Sequence, residues 1–296
     1  MTACLYTRLD TVDDAVQCLA SAGEDGHVIA GGVALGILMN ERLVKPVHLL
    51  DISRIDALKR IEVTAEGVLS IGALATHQEV LTSAVVAATC PLLIEMSSEI
   101  ACERIRNRGT IGGSICLGDP QGDPPVALLA LDAVVRAAGP QGLRDIPIRT
   151  FFQDVYTTAL QSDEILQEIR IPRIPDGGGM AYHKFSARRA MDYATTVSAA
   201  VQLACDPDDG RIINAGLGLG GVGVTPVWSK AIADGLLNAT PCPEIFAWMR
   251  KMVHEELSPI GDHLYSADYK SHVAAVILRR ATERAYNRAV AGSDRR

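Results

Sequence analysis

The chain has 296 residues, enough to bury a sizeable core in one large domain or a few smaller ones without disulfide or metal staples. With 28 Lys and Arg against 35 Asp and Glu the net charge is −7, and no basic run is present, which argues against nucleic acid or an anionic membrane surface as the main partner. A hydrophobic fraction of 48% with 21% charged residues excludes global disorder, and no apolar stretch approaches the ~18–20 residues of a membrane-crossing helix.

The opening reads as a small α/β unit. Thr11 followed by Asp13 and Asp14 looks like an N-cap with an acidic first turn, predicting a helix through Ala20. His27-Val28-Ile29-Ala30 suits a buried strand that meets a tight turn at Gly31-Gly32. A helix over 33–42 and a strand over 49–52 follow. The pattern Ile61-Glu62-Val63-Thr64, Ala65-Glu66-Gly67, Val68-Leu69-Ser70-Ile71 then has the alternation and turn chemistry of a hairpin. Helices are expected over 77–87 and 91–101, a Gly- and Arg-rich loop over 104–118, and a helix from Asp123 to Leu131 with proline in its first turn. Strands are expected over 133–137 and 164–171. Two prolines and three glycines between 172 and 179 mark a domain boundary. Beyond it come three strand-like runs (180–186, 197–205, 211–219) and three helices, an α+β order.

The N-terminus carries Arg8 and Asp10 where a signal peptide needs an apolar run, so the chain is expected in the cytoplasm. Its seven cysteines (Cys4, Cys18, Cys90, Cys102, Cys116, Cys205, Cys242) are scattered, as buried thiols in a reducing compartment would be. No histidine pair has metal-ligand spacing and no nucleophile elbow occurs. No metal ligand, general base or nucleophile is therefore assigned.

Two constellations suit a phosphate-bearing ligand. Gly31-Gly32 between a strand and a helix lets backbone approach a ligand closely, with consecutive N–H groups and a helix N-terminus behind them. The run Arg104-Ile105-Arg106-Asn107-Arg108-Gly109-Thr110-Ile111-Gly112-Gly113-Ser114 offers a second glycine pair with hydroxyls on both sides, followed by Asp119 and Asp123. Asp123 is placed to accept hydrogen bonds from ribose hydroxyls, or to cap the following helix. Two such turns suggest a dinucleotide clamped between two small domains. Gly216-Leu217-Gly218-Leu219-Gly220-Gly221 also satisfies G-x-G-x-x-G. No helix opens directly after it, so a strand kept slim to pack under helices is the preferred reading.

The loops with their flanks resemble the FAD-binding medium subunit of the molybdenum hydroxylases, the carbon monoxide dehydrogenase and xanthine dehydrogenase family. The matching residues are Ile29-Ala30-Gly31-Gly32, Leu49-Leu50-Asp51-Ile52, Ile71-Gly72-Ala73-Leu74-Ala75-Thr76-His77, Ile105 through Ser114, and Asp119-Pro120 to Asp123. The resemblance implies an α+β fold: a PCMH-type FAD-binding region of two α/β subdomains (1–56 and 57–175) and a C-terminal domain (176–296) of three antiparallel strands with a helical bundle. It implies FAD as this chain's cofactor, wrapped at its pyrophosphate by Val28, Ile29, Ala30, Gly31, Gly32, Val33, Ala34 and Leu35. Thr76, Thr110, Ile111, Gly112, Gly113 and Ser114 would form the opposing cradle. Asp123 would hold a sugar or ribityl hydroxyl, Ile100 and Leu166 would lie near the ring system, and Lys184 and Tyr193 would reach the cofactor from the third domain.

The resemblance further implies partner subunits, a large one with molybdopterin that hydroxylates an N-heterocycle, an aldehyde or CO, and a small one whose two 2Fe-2S clusters feed the flavin. A dimer of such heterotrimers is expected, with electrons leaving FAD for an external acceptor. A stand-alone flavin or nicotinamide reductase and a non-catalytic assembly subunit are the alternatives. Three departures stand out: Val33 and Ala34 have no side-chain donor, Ser114 stands where asparagine is common, and Trp228 replaces a usual arginine. No Cys-rich insertion for a further cluster is present.

Overall fold

Strand and helix alternate from the start: β1 (Leu5–Arg8), α1 (Val12–Ala22), β2 (Gly26–Ile29), α2 (Val33–Asn40) and β3 (His48–Asp51). The computed structural model describes residues 4–175, 178–187 and 197–293. Because a helix separates each successive pair of these strands, they can align in parallel, and β1 and β2 both pair with the central β3. Thr11 caps α1 by accepting the Asp14 N–H, and Ala15, Val16 and Leu19 form its buried stripe against Leu50, Ile52 and Leu58. Helix α2 buries none of its residues, although it is apolar almost throughout.

The middle of the chain builds a second sheet, with β4 (Ile61–Val63) and β5 (Leu69–Gly72) as the expected hairpin. Short helices follow: α3 (His77–Thr82), α4 (Ala84–Thr89), α5 (Pro91–Ser98), α6 (Glu103–Arg106), α7 (Ile111–Leu117) and α8 (Asp123–Ala130). Strands β6 (Val134–Gly139), β7 (Gly142–Pro147), the small β8 (Phe152–Asp154) and β9 (Thr157–Thr158), and β10 (Ile165–Ile171) complete it. The antiparallel order is β4-β5-β10-β6-β7, with β8 and β9 as a separate ribbon.

Three local expectations need correction. The single helix expected over 77–87 is two helices, because Ser83 is extended (φ −72°, ψ 120°) and its hydroxyl caps α4 through the Val86 N–H. Side chains of this kind compete with the helix ladder for backbone groups. The loop expected over 104–118 is largely helical: Thr110 caps α7, and tertiary packing offsets the helix penalty of its two glycines. Strand β7 was not anticipated, since only Ile146 within it is buried and no apolar alternation announces it.

In the C-terminal region β11 (Gly178–Phe185), β12 (Val197–Cys205) and β13 (Ile212–Gly220) form an antiparallel sheet in that order. Helices α9 (Lys230–Leu236), α10 (Pro243–Glu256) and α11 (Ala267–Ser293) follow. β12 is buried along its whole length, as expected for a central strand with both faces covered: α11 packs on one and α8 on the other. Among the described residues no helix is long and apolar enough to cross a membrane.

Candidate functional site

The first glycine turn follows directly from β2. Gly32 sits in the left-handed region (φ 73°) as the N-cap of α2, and no side chain caps that helix. The first-turn N–H groups at Val33, Ala34 and Leu35 have no carbonyl one turn behind them, so they remain available to a ligand. Gly31 is there for another reason. A Cβ on it would stand 1.7 Å from the carbonyl oxygen of Arg108, and Arg108 Nη2 donates to the Gly31 carbonyl at 3.3 Å. The two glycine-rich segments, 77 residues apart in sequence, therefore meet backbone to backbone.

The second segment is spent differently from expectation. Its N–H groups from Ile111 to Ser114 are consumed within the protein: Ile111 donates to Ala75 O at 2.9 Å, Gly112 to Ala73 O at 3.0 Å and Ser114 to Thr110 O at 3.0 Å, and Gly113 donates to Thr110 Oγ1 at 3.1 Å. Gly112 is required by close approach, since a Cβ would meet Ala73 O at 2.5 Å. What this segment retains for a ligand is hydroxyl chemistry. Thr76 lies beside Thr110 in an isolated bridge and caps α3 in a capping box with Glu79.

His77, next in the chain, closes the group. Its N–H donates to Gly109 O at 2.9 Å, and its ring Nε2 lies 2.9 Å from Ser114 Oγ. Burial, with a smaller push from the Arg106 charge, brings its pKa down to about 4, so the imidazole is neutral at physiological pH.

Asp123 is not the N-cap of α8; Gly122 is. Its carboxylate is buried and engaged on both oxygens, by Tyr182 Oη on Oδ1 at 2.5 Å and by Lys184 Nζ on Oδ2 at 2.7 Å. Burial pushes this carboxyl up, against the pull of Lys184 and the Tyr182 hydroxyl. Lys184 also reaches Glu99 O at 3.3 Å, next to Ile100. Ile100 packs against the core that contains the 3%-exposed Leu166. Tyr182 was missed in the sequence, although its position two residues before Lys184 on one strand puts both on the same face. Tyr193 lies outside the described residues.

The G-x-G-x-x-G run serves packing. A Cβ at Gly216 would meet Ala130 O at 2.0 Å and one at Gly218 would meet Val126 O at 2.1 Å, so these glycines receive the backbone of α8.

Comparison with known proteins agrees with this architecture. The family described as FAD binding domain in molybdopterin dehydrogenase matches residues 2–174, and the CO dehydrogenase flavoprotein C-terminal domain matches residues 181–285. The chain is 36% identical to the carbon monoxide dehydrogenase medium chain of Afipia carboxidovorans, over 96% of this chain and 97% of that one. It is 33% identical to the 6-hydroxypseudooxynicotine dehydrogenase complex subunit alpha of Paenarthrobacter nicotinovorans, over 96% and 95% respectively. A chain of reconstituted CO dehydrogenase from Oligotropha carboxidovorans superposes with a TM-score of 0.93 at 35% identity, over 97% of this chain and 98% of that one.

Proposed function

The chain belongs to the FAD-binding medium subunits of the molybdenum hydroxylase family, and we propose that its two interlocked glycine segments hold the diphosphate of FAD while partner subunits perform the substrate chemistry. The relatives are subunits of dehydrogenase complexes, so this is an oxidoreductase subunit. The observation that carries the site assignment is the contact of Gly31 with the Arg108 carbonyl. It places the free first-turn N–H groups of α2 beside the segment that bears Thr110 and Ser114.

The donor set suits a diphosphate. Backbone N–H groups at a helix N-terminus bind anions without a side-chain donor, which accounts for the tolerance of Val33 and Ala34. Lys184 and Tyr182 hold the Asp123 carboxylate in one orientation. A carboxylate has about four acceptor positions, so it keeps capacity for a ribityl or ribose hydroxyl. Ile100 and Leu166 supply apolar surface for the ring system. Bound FAD supplies an electron store between the donor clusters and an external acceptor.

The partners in this reading are a large molybdopterin subunit and a small subunit with two 2Fe-2S clusters, assembled as a dimer of heterotrimers. The hydroxylated substrate (an N-heterocycle, an aldehyde or CO) is selected on the large subunit. The division into units 1–56, 57–175 and 176–296 is supported by the sheets, since no sheet pairing crosses either boundary among the described residues. A nicotinamide reductase built on the C-terminal glycine run is disfavoured because that run is occupied by α8.

The purified chain is expected to be yellow, with about one FAD per chain by absorbance and by cofactor release on denaturation. A colourless chain that takes up no added FAD overturns this reading.

A further inference from the structure

We propose that His77 is a positioning residue that fixes the Ser114 hydroxyl as a hydrogen-bond donor toward the FAD diphosphate, an inference that rests on the FAD reading above. The starting point is an imbalance on the imidazole. Its Nε2 lies 2.9 Å from Ser114 Oγ, while its Nδ1 is buried with no protein partner. The residue is 2% exposed, and the neutral ring carries one proton for its two nitrogens.

The two tautomers differ in cost. With the proton on Nδ1, a buried N–H donor goes unpaired, and Nε2 must accept the only proton Ser114 can give. With the proton on Nε2, the unpaired atom is an acceptor, the more tolerable orphan in a protein interior. Nε2–H then donates to Ser114 Oγ, and the serine proton is left free. No protein acceptor for that proton is present among the described residues.

The freed proton matters because of what surrounds it. The four N–H groups from Ile111 to Ser114 are already spent inside the protein. Gly113 is exposed and Ser114 half-buried, and the Gly31 turn meets the same segment at Gly109, whose Cα would lie 3.4 Å from a Cβ on Gly31. The second segment thus answers the anion with a side-chain donor whose direction is set by a ring 37 residues earlier in the chain. Gly109 leaves room for the ring, since a Cβ there would crowd His77 Cδ2 at 3.1 Å.

The test combines the tautomer with binding, on the full-length chain. Nitrogen NMR with 15N-labelled histidine reads the tautomer directly, with His77→Gln identifying the resonance. Protonated Nε2 and bare Nδ1 are expected; a proton on Nδ1 in a chain that binds FAD overturns the inference and leaves the FAD reading intact. FAD titration of apo-protein then separates positioning from packing. Ser114→Ala is expected to weaken FAD on the order of tenfold, and His77→Phe several-fold, with no further loss from His77→Phe in the Ser114→Ala background. His77→Gln, whose amide nitrogen falls where Nε2 stands, is expected to restore binding, whereas His77→Asn is not. Losses that simply add, or a Gln variant that binds as weakly as Phe, overturn it. Wild-type chain that takes up no FAD overturns the function reading and this inference together.

Discussion

At the scale of single residues, a missing Cβ explains more of this molecule than any charge. Gly31 meets the Arg108 carbonyl where a methyl group would stand 1.7 Å away, so Gly31→Ala must displace one of the two segments. We expect it to lower FAD per chain at least tenfold, with a stability loss of about 1–3 kcal/mol from overpacking, read by flavin absorbance and thermal unfolding. Gly218→Ala separates the two kinds of glycine. Its Cβ would lie 2.1 Å from Val126 O, so a similar stability loss is expected with FAD per folded chain unchanged. Loss of FAD without loss of stability there would return the G-x-G-x-x-G run to nucleotide binding. His77 adds a pH dependence. Its folded pKa of about 4 lies below the ordinary 6.5, so the unfolded chain binds the proton first. Its contribution is complete above pH 6.5 and is lost as the pH falls toward 4. The gap corresponds to about 3 kcal/mol. Unfolding free energy from denaturant melts should therefore fall as the pH drops from 7 to 4.5, and His77→Gln should flatten that decline; an unchanged decline would show that other groups carry it.

At the scale of elements, what could be read in advance depended on whether the cause was local. Helix α1 is announced by Thr11 and its acidic first turn, and the first hairpin by its alternation. Both are governed by neighbours in sequence, and both form where expected. Helix α7 was not legible, because two glycines in seven residues argue against a helix. What permits it is Ala73 receiving Gly112 and Ala75 receiving Ile111, contacts between segments far apart in the chain. The fit of α8 on β13 has the same origin. Four residues of helix rise about 6.0 Å and two residues of strand about 6.6 Å, so the carbonyls of Val126 and Ala130 come into step with Gly218 and Gly216. The glycine spacing was visible, but its partner was not. Thr110 is the residue on which α7 depends locally. Thr110→Ala removes the acceptor for the Gly113 N–H and should cost about 1 kcal/mol, seen as a lower thermal midpoint of the apo-protein. If the midpoint does not move, the packing of Gly112 alone suffices to hold the helix.

At the scale of the whole molecule, the region matched by the FAD-binding family is fastened to the C-terminal region by a few polar links that range from exposed to buried. Glu95 on α5 receives Arg284 at 3.1 Å and Arg288 at 2.6 Å from α11. Arg149 stacks over Trp228 with 3.8 Å between its Cζ and the ring centroid, which gives the tryptophan a partner across the junction. The Asp123–Lys184–Tyr182 group is the most buried of these links, with Lys184 and Asp123 side chains 8% and 9% exposed. A buried ion pair contributes little net stability when intact, yet breaking one half strands a charge in a poorly solvated site. Lys184→Met should therefore cost about 3–5 kcal/mol, far more than an exposed lysine would. Adding Asp123→Asn should recover most of that loss, because the amide carries no charge to strand while still accepting from Tyr182. Chemical denaturation of the two single variants and the double variant measures the coupling. A double variant no more stable than Lys184→Met alone would mean that Lys184 acts on the junction through its stem and its Glu99 contact rather than through Asp123. The recovered double variant also bears on the cofactor: if it folds like wild type but retains less FAD, the Asp123–Lys184 pair contributes to holding the flavin as well as to joining the two regions.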